Sequence, residues 1–328
     1  MSTDQLTEEQ QETRHLITDT AAKIFTDHCD KELLDAAEQG HFPAELWQLI
    51  QANGFHQLGT AESGTNAGDM FAFLQVCGRF SVPLPIAETL LVNRWVGAAD
   101  DLASVGHIDD QGSLARQVTW GRNVARVVAI SQQSNEIVLS LEPQVEQQSR
   151  NLAGEPVHVI ALNDTQRITL DQPPYAQMAL ARANLLAGNL QSQLDLGVLF
   201  ATERKQFGRS ISKFQAIQHS LAVIAAEVAA SQRAADAAAD ALGDERFISE
   251  VAVAKARVGE AAGVVAEQVH QIHGAMGFTY EHRLHHFTRR AWTWRDEWGH
   301  EVYWQAVLGR DLCQLGADQV WNFVATAR

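Results

Sequence analysis

Apolar residues recur at helical spacing through the first hundred positions. Leu16, Ile17, Ala21, Ile24 and Phe25 fall on one face of a segment running to about Ala37, and Thr7-Glu8-Glu9-Gln10 ahead of it has the form of a capping box. Trp47, Leu49 and Ile50 give an apolar side to a helix that Pro43 can open and Asn53-Gly54 can close. Gly59 to Gly68 is dense in Gly, Ser, Thr and Asn and reads as a loop. Further helices are predicted from about Met70 to Phe80 and, after the breaks at Pro83 and Pro85, from Ile86 to Val96. Residues 1–98 therefore read as a helical domain.

The period then changes. Short β-branched or alternating runs at Val124–Ile130, Glu136–Leu139, Val157–Ile160 and Arg167–Leu170 are separated by Gln, Asn, Ser and Gly, which predicts a small β domain over residues 99–175. Helical spacing returns after Pro173-Pro174, with Leu186, Leu190, Leu194 and Val198 four apart. Leu221 to Leu242 and Val251 to about His270 read as Ala-rich helices that can pack closely, and Arg289 to about Ala325 as a last helical region. The fold class expected is mostly α with a small β domain: an N-terminal helical domain, a reduced middle β domain, and a C-terminal helical bundle over 176–328.

A chain of 328 residues is long enough for more than one structural unit, since single cores seldom grow beyond about 250–300 residues. Forty carboxylates against 25 Lys and Arg give a net charge of −15, which argues against a nucleic-acid surface. Cys29, Cys77 and Cys313 are too scattered for a zinc site or a disulfide framework. The N-terminus is polar, and no apolar run reaches the roughly 20 residues of a membrane span, so an untargeted cytoplasmic protein without membrane contact is expected.

Two stretches carry candidate chemistry. The first is Glu203-Arg204-Lys205-Gln206-Phe207-Gly208-Arg209-Ser210, a basic turn leading through Phe214-Gln215 into a helix. Arg204 offers a planar fork for a phosphate, and free N–H groups at a helix start add donors, although a solvated basic loop would read the same way. The second is Gln271-Ile272-His273-Gly274-Ala275-Met276-Gly277, where glycines would let a ligand approach the backbone. His273 there either touches the ligand or packs. His282, His285 and His286 lack the Glu of a His-Glu-x-x-His helix, so no metal is expected and a polar helix face is the plainer reading. Trp292, Trp294, Trp298 and Trp304 could line an acyl pocket but read better as a subunit interface.

Together these stretches resemble the acyl-CoA dehydrogenase family, whose Arg-x-x-Phe-Gly signature, Phe-Gln pair and Gln-x-x-Gly-Gly-x-Gly turn are matched here with Ala275 in place of the second turn glycine. The helices–β–bundle order extends the resemblance over nearly the whole chain, including Pro83-Leu84-Pro85-Ile86-Ala87-Glu88-Thr89. It implies that Arg204, Gln206, Phe207, Phe214, Gln215, Gln271, His273, Gly274 and Gly277 hold the pyrophosphate and adenine half of FAD, mostly for a neighbouring subunit. The middle domain lacks the family's Thr-Glu-Pro and Gly-Ser-Asp elements for the isoalloxazine ring. A run without gaps from Gln271 puts Trp298, which cannot act as a general base, where the family has its catalytic glutamate. Glu297 is adjacent and is the candidate base, or else an ordinary surface or ion-paired carboxylate. The resemblance is therefore to the short, base-lacking subunit of heteromeric acyl-CoA dehydrogenases. It implies an α2β2 complex with a homologous catalytic subunit that binds most of the acyl-CoA, with a bulky substrate such as a steroid side-chain thioester. The alternatives are a self-sufficient homomeric enzyme using Glu297, and a flavin-free scaffold on the same fold.

Overall fold

The computed structural model describes residues 7–326. The segment expected as one helix to Ala37 divides into α1 (Glu8–His28) and α2 (Lys31–Glu38), because the Asp30 carboxylate accepts from the Leu33 N–H at 2.8 Å and starts a second helix. The capping box at Thr7 is reciprocal: its hydroxyl takes the Gln10 N–H at 3.2 Å and its own N–H donates to the Gln10 side chain at 2.9 Å. α3 (Ala44–Ala52) and α4 (Ala67–Phe80) follow, α4 capped by Asn66, and Asp69 in its first turn meets Arg14 of α1 at 3.0 Å. α5 (Ile86–Val96) is buried along most of its length.

The β region has more strands than the sequence suggests. β1 (Ala103–Ile108), β2 (Leu114–Thr119), β3 (Arg126–Ile130), β4 (Glu136–Ser140), β5 (Gln144–Arg150), β6 (Pro156–Ala161) and β7 (Thr165–Thr169) form one sheet in the order β5-β6-β2-β1-β3-β4-β7. Among the described residues, β1 and β3 are the one pair that runs parallel. β3 and β4 are buried along almost their whole length, whereas edge strand β5 is polar, exposed and shifted in register between Val145 and Gln147. Thr89 of α5 donates to the Ala103 carbonyl at 2.9 Å, and Arg126 of β3 donates to Asn93 at 2.7 Å. The N-terminal helices and the sheet accordingly belong to one unit, ending at residue 170, and residues from 171 form a second.

The second unit begins with α6 (Pro174–Glu203), a 30-residue helix with proline at its first position. A ribbon of β8 (Lys205–Gln206) and β9 (Arg209–Ser210) leads to α7 (Gln215–Asp240), followed by α8 (Phe247–His273), α9 (Leu284–Asp296), α10 (Glu301–Leu315) and α11 (Ala317–Thr326). α6, α7, α8 and α9 pack on one another through small residues such as Ala235, Ala238, Ala254, Ala261 and Ala262, all fully buried. Trp294, Trp298 and Trp304 are buried within the chain at 4%, 4% and 2% exposure, so they are core and not the interface expected of them. His285 and His286 are likewise buried, against the polar face expected, because α9 turns that side inward. No helix among the described residues is long and apolar enough to cross a membrane.

Candidate functional site

The C-terminal end of α6 is where the chemistry gathers. Arg204 follows its last turn, and the chain reverses through β8 and β9, pairing Lys205 with Ser210 and Gln206 with Arg209. Phe207 (φ +52°) and Gly208 (φ +79°) occupy the reversal, both left-handed as a two-residue type I′ turn demands. Phenylalanine is a costly choice there, and its ring is 91% exposed. Ser210 fastens the ribbon, its hydroxyl lying 2.7 and 2.9 Å from the Ala201 and Thr202 carbonyls that α6 leaves unpaired. Phe214, under the Arg209 guanidinium at 4.3 Å, precedes α7, whose first N–H groups have no side-chain cap.

The end of α8 lies across from this ribbon. Phe200, Arg204, Gln206 and Ile211 on one side and Gln271 to Met276 on the other enclose a cleft of about 300 Å³. Among the described residues, the side chains of Arg204, Gln206 and Gln271 make no hydrogen bond or ion pair within the chain and stand open to a ligand. Gly274 has φ +56°, and a Cβ there would meet no protein atom within 4 Å, so the backbone is bare toward free space. His273 is buried, stacks on Phe200 at 4.4 Å, and has Nδ1 2.7 Å from the Val269 carbonyl. A carbonyl only accepts, so Nδ1 carries the proton; Nε2 is a buried lone pair without a partner. Burial above all pulls the His273 pKa down to about 4.

The sequence candidates separate in space. Arg204, Gln206, Gln271, His273 and Gly274 meet at the cleft. Phe207, Phe214 and Gln215 stand beside it on the ribbon and the start of α7. Gly277 faces the other side of the turn, where a Cβ would lie 3.0 Å from both His270 Nδ1 and His273 Cβ. Phe200, which holds the His273 ring, was missed; its place one helical turn before Arg204 is the signal that could have found it.

Glu297 does not line the cleft. Its Oε2 lies 2.5 Å from Arg182 Nε of α6, and its backbone ends α9 in an extended conformation. The fully buried Lys255 of α8 reaches the same place, with Nζ 3.2, 3.1 and 2.8 Å from the carbonyls of Trp294, Arg295 and Glu297. It thereby occupies carbonyls that the end of α9 leaves unpaired. Burial draws the Lys255 pKa down to about 7, with the Glu297 charge opposing. Trp298 follows with φ +56°, its ring against Tyr175 at 5.7 Å and its carbonyl taking the Trp304 indole N–H at 3.0 Å. Arg182 and Lys255 were not singled out from sequence, because nothing local marks a cation that acts on a helix end far along the chain.

Residues 175–295 match the family model described as acyl-CoA dehydrogenase, C-terminal domain. The acyl-CoA dehydrogenase IpdE2 of Mycolicibacterium smegmatis is 26% identical over 306 residues, covering 85% of this chain and 92% of that protein. Among solved structures, the ChsE4-ChsE5 complex from Mycobacterium tuberculosis superposes with a TM-score of 0.81 at 18% identity, over 95% of this chain and 99% of that one. A variant of the Tcur3481-Tcur3483 steroid ACAD gives 0.80 at 20% identity, over 93% and 99%.

Proposed function

The chain belongs to the acyl-CoA dehydrogenase family, and on that premise we propose that it is the subunit of a heteromeric enzyme that holds the adenylate and pyrophosphate half of FAD. The observation that carries this reading is a contrast within one unit. Arg204, Gln206 and Gln271 stand unpaired around a cleft with bare glycine backbone, while Glu297 is bound to Arg182 and Trp298 is buried.

The donor set suits the cofactor. Arg204 would neutralise the pyrophosphate, with the uncapped start of α7 adding N–H donors, and Gln271 with the Gly274 turn would hold the adenylate. The exposed Phe207 would extend the site across the subunit boundary. When bound, the flavin supplies the acceptor for the hydride leaving the substrate's β-carbon. The α-proton goes to a carboxylate of a homologous partner subunit, because Glu297 would have to break its ion pair with Arg182 to take it up. The partner also supplies the isoalloxazine pocket and most of the acyl-CoA contacts, in an α2β2 assembly. The likeness to complexes of two chains, one of them a steroid ACAD, supports a bulky substrate such as a steroid side-chain CoA thioester.

The test is to purify the chain alone and co-expressed with a longer homologue carrying the missing glutamate, then measure bound flavin and acyl-CoA-dependent dye reduction. Flavin and activity appearing only together, at about one flavin per pair of chains, agree with the proposal. A lone chain that is yellow and active overturns it.

A further inference from the structure

We infer that the segment joining α8 to α9 carries a second binding site, separate from the cofactor cleft, which takes a small aryl carboxylate. The local geometry starts from Gly277, where a Cβ would lie 3.0 Å from His270 Nδ1. Without one, the next residue folds back, and the Phe278 ring lies over the His270 ring at 4.6 Å and 19°. Trp292 of α9 is within 21° of the same plane, its centroid 6.4 Å from that of His270. These roughly parallel rings, together with Tyr280 and Arg289, border a cavity of about 280 Å³ that shares no residue with the cleft at Arg204. A ligand can reach it, because Phe278 and Tyr280 at its rim are 73% and 78% exposed and Arg289 and Trp292 are half-buried.

Charge decides the class of ligand. Aromatic walls by themselves suit a quaternary ammonium, which is drawn to ring faces. Here Arg289 stands in the wall and, among the described residues that form it, no Asp or Glu does, so a cation is repelled. Burial, and after it the charge of His282, hold the His270 pKa below the ordinary histidine value, so at neutral pH that ring is an uncharged stacking surface. The hydroxyls are already committed, Thr288 to His270 Nε2 at 3.1 Å and Thr279 to the Met276 carbonyl at 3.0 Å. Arg289 is left as the principal donor of the wall. It also interacts within the chain, and the five N–H donors of a guanidinium can serve a second acceptor.

A carboxylate is the group that matches a guanidinium fork, and a flat ring is the body that gains from offset stacking on Phe278 and Trp292. The cavity lies just below the roughly 300–1,000 Å³ of drug-sized pockets, which leaves room for one or two fused rings. None of this depends on the flavin reading of the other cleft.

The experiment titrates the full-length chain by calorimetry with three probes of one shape and different charge: indole-3-acetate, indole-3-acetamide and tryptamine. The acid should bind with a Kd of about 0.1–1 mM, a usual efficiency for a ligand of that size. The amide should bind about 10-fold more weakly, and tryptamine more weakly still. Arg289→Gln should bring acid and amide to within about twofold of each other, and Phe278→Ala and Tyr280→Ala should each weaken the acid by about 3- to 10-fold. Arg204→Gln, in the cofactor cleft, should leave acid binding within about twofold of wild type. Acid and amide binding alike, tryptamine binding as tightly as the acid, insensitivity to both rim variants, or no saturation by about 10 mM acid each overturns the inference. Loss of acid binding in Arg204→Gln overturns it too, by placing the probe in the other cleft. Should Arg289→Gln not fold, the charge series on the wild type and the two rim variants, whose rings stand largely in solvent, still decide.

Discussion

Glu297 Oε2 and Arg182 Nε lie 2.5 Å apart, joining the end of α9 to the middle of α6 through an arginine only 5% exposed at its side chain. Removing one partner leaves the other charge poorly solvated. Arg182→Met should cost about 2–4 kcal/mol in urea unfolding, and adding Glu297→Gln should recover part of the loss. In the co-expressed complex, Glu297→Gln should leave dehydrogenation within a few-fold of wild type. A drop of several orders of magnitude would make Glu297 the base and this chain self-sufficient.

Lys255 gives the unit a pH dependence with a definite sign. Its folded pKa of about 7 lies below the ordinary lysine value of 10.5, so the unfolded chain binds more protons between these limits and stability rises with pH across that window. The gain is bounded at a few kcal/mol, at about 1.4 kcal/mol per pKa unit. Denaturant melts from pH 7 to 10 should show the slope in wild type, and it should be reduced in Lys255→Met. His273 acts with the same sign at lower pH, its contribution being lost as pH falls from 6.5 toward 4.

The Arg204 side chain makes no hydrogen bond or ion pair within the chain, so its replacement should separate binding from folding. Arg204→Gln should lower flavin affinity of the complex by about 10- to 100-fold, the worth of one charge-assisted contact, with the melting curve of the chain unmoved. Arg204→Lys should restore only part, because an ammonium lacks the planar fork.

How much of this was legible beforehand depends on how local each signal is. The helices announce themselves through Leu186, Leu190 and Leu194, and the cleft residues through two short motifs that the fold brings face to face. β5 could not be read that way: in Gln144–Arg150 only Val145 is apolar, and the strand exists because its backbone pairs with β6. β1 and β2 were hidden by Gly106, Arg116 and Gln117, which interrupt the alternation that marks a strand. The tryptophans misled because a spacing that exposes a side chain on an isolated helix buries it once Tyr175 and Trp304 close around Trp298. Pairings such as Lys255 with the α9 carbonyls depend on tertiary approach and leave no trace in neighbouring residues.

The two turn glycines should fail in different ways. Gly277→Ala puts a methyl 3.0 Å from His270 and His273 and should cost about 1–3 kcal/mol of stability through overpacking. At Gly274→Ala the methyl meets no protein atom, but the left-handed backbone is strained by about 1–3 kcal/mol. Of the two, Gly274→Ala should be the one that also blocks ADP binding, measured by calorimetry at a temperature where both variants are folded.

Phe207 sits in a left-handed turn that asparagine or glycine would accept more readily. Phe207→Asn should therefore stabilise the isolated chain by about 0.5–1 kcal/mol and weaken flavin retention in the complex. A variant gaining both stability and flavin would mean that the ring serves neither the cofactor nor the partner.

The edge strand β5 has a bearing on how such a chain survives before it meets a partner. All of its residues but Val145 are polar and exposed, and its ladder is broken by the register shift after Val145. An unpaired strand of that kind is a poor template for another strand. On the proposed heteromeric reading, the sheet edge thereby disfavours pairing of the chain with its own copies through β5.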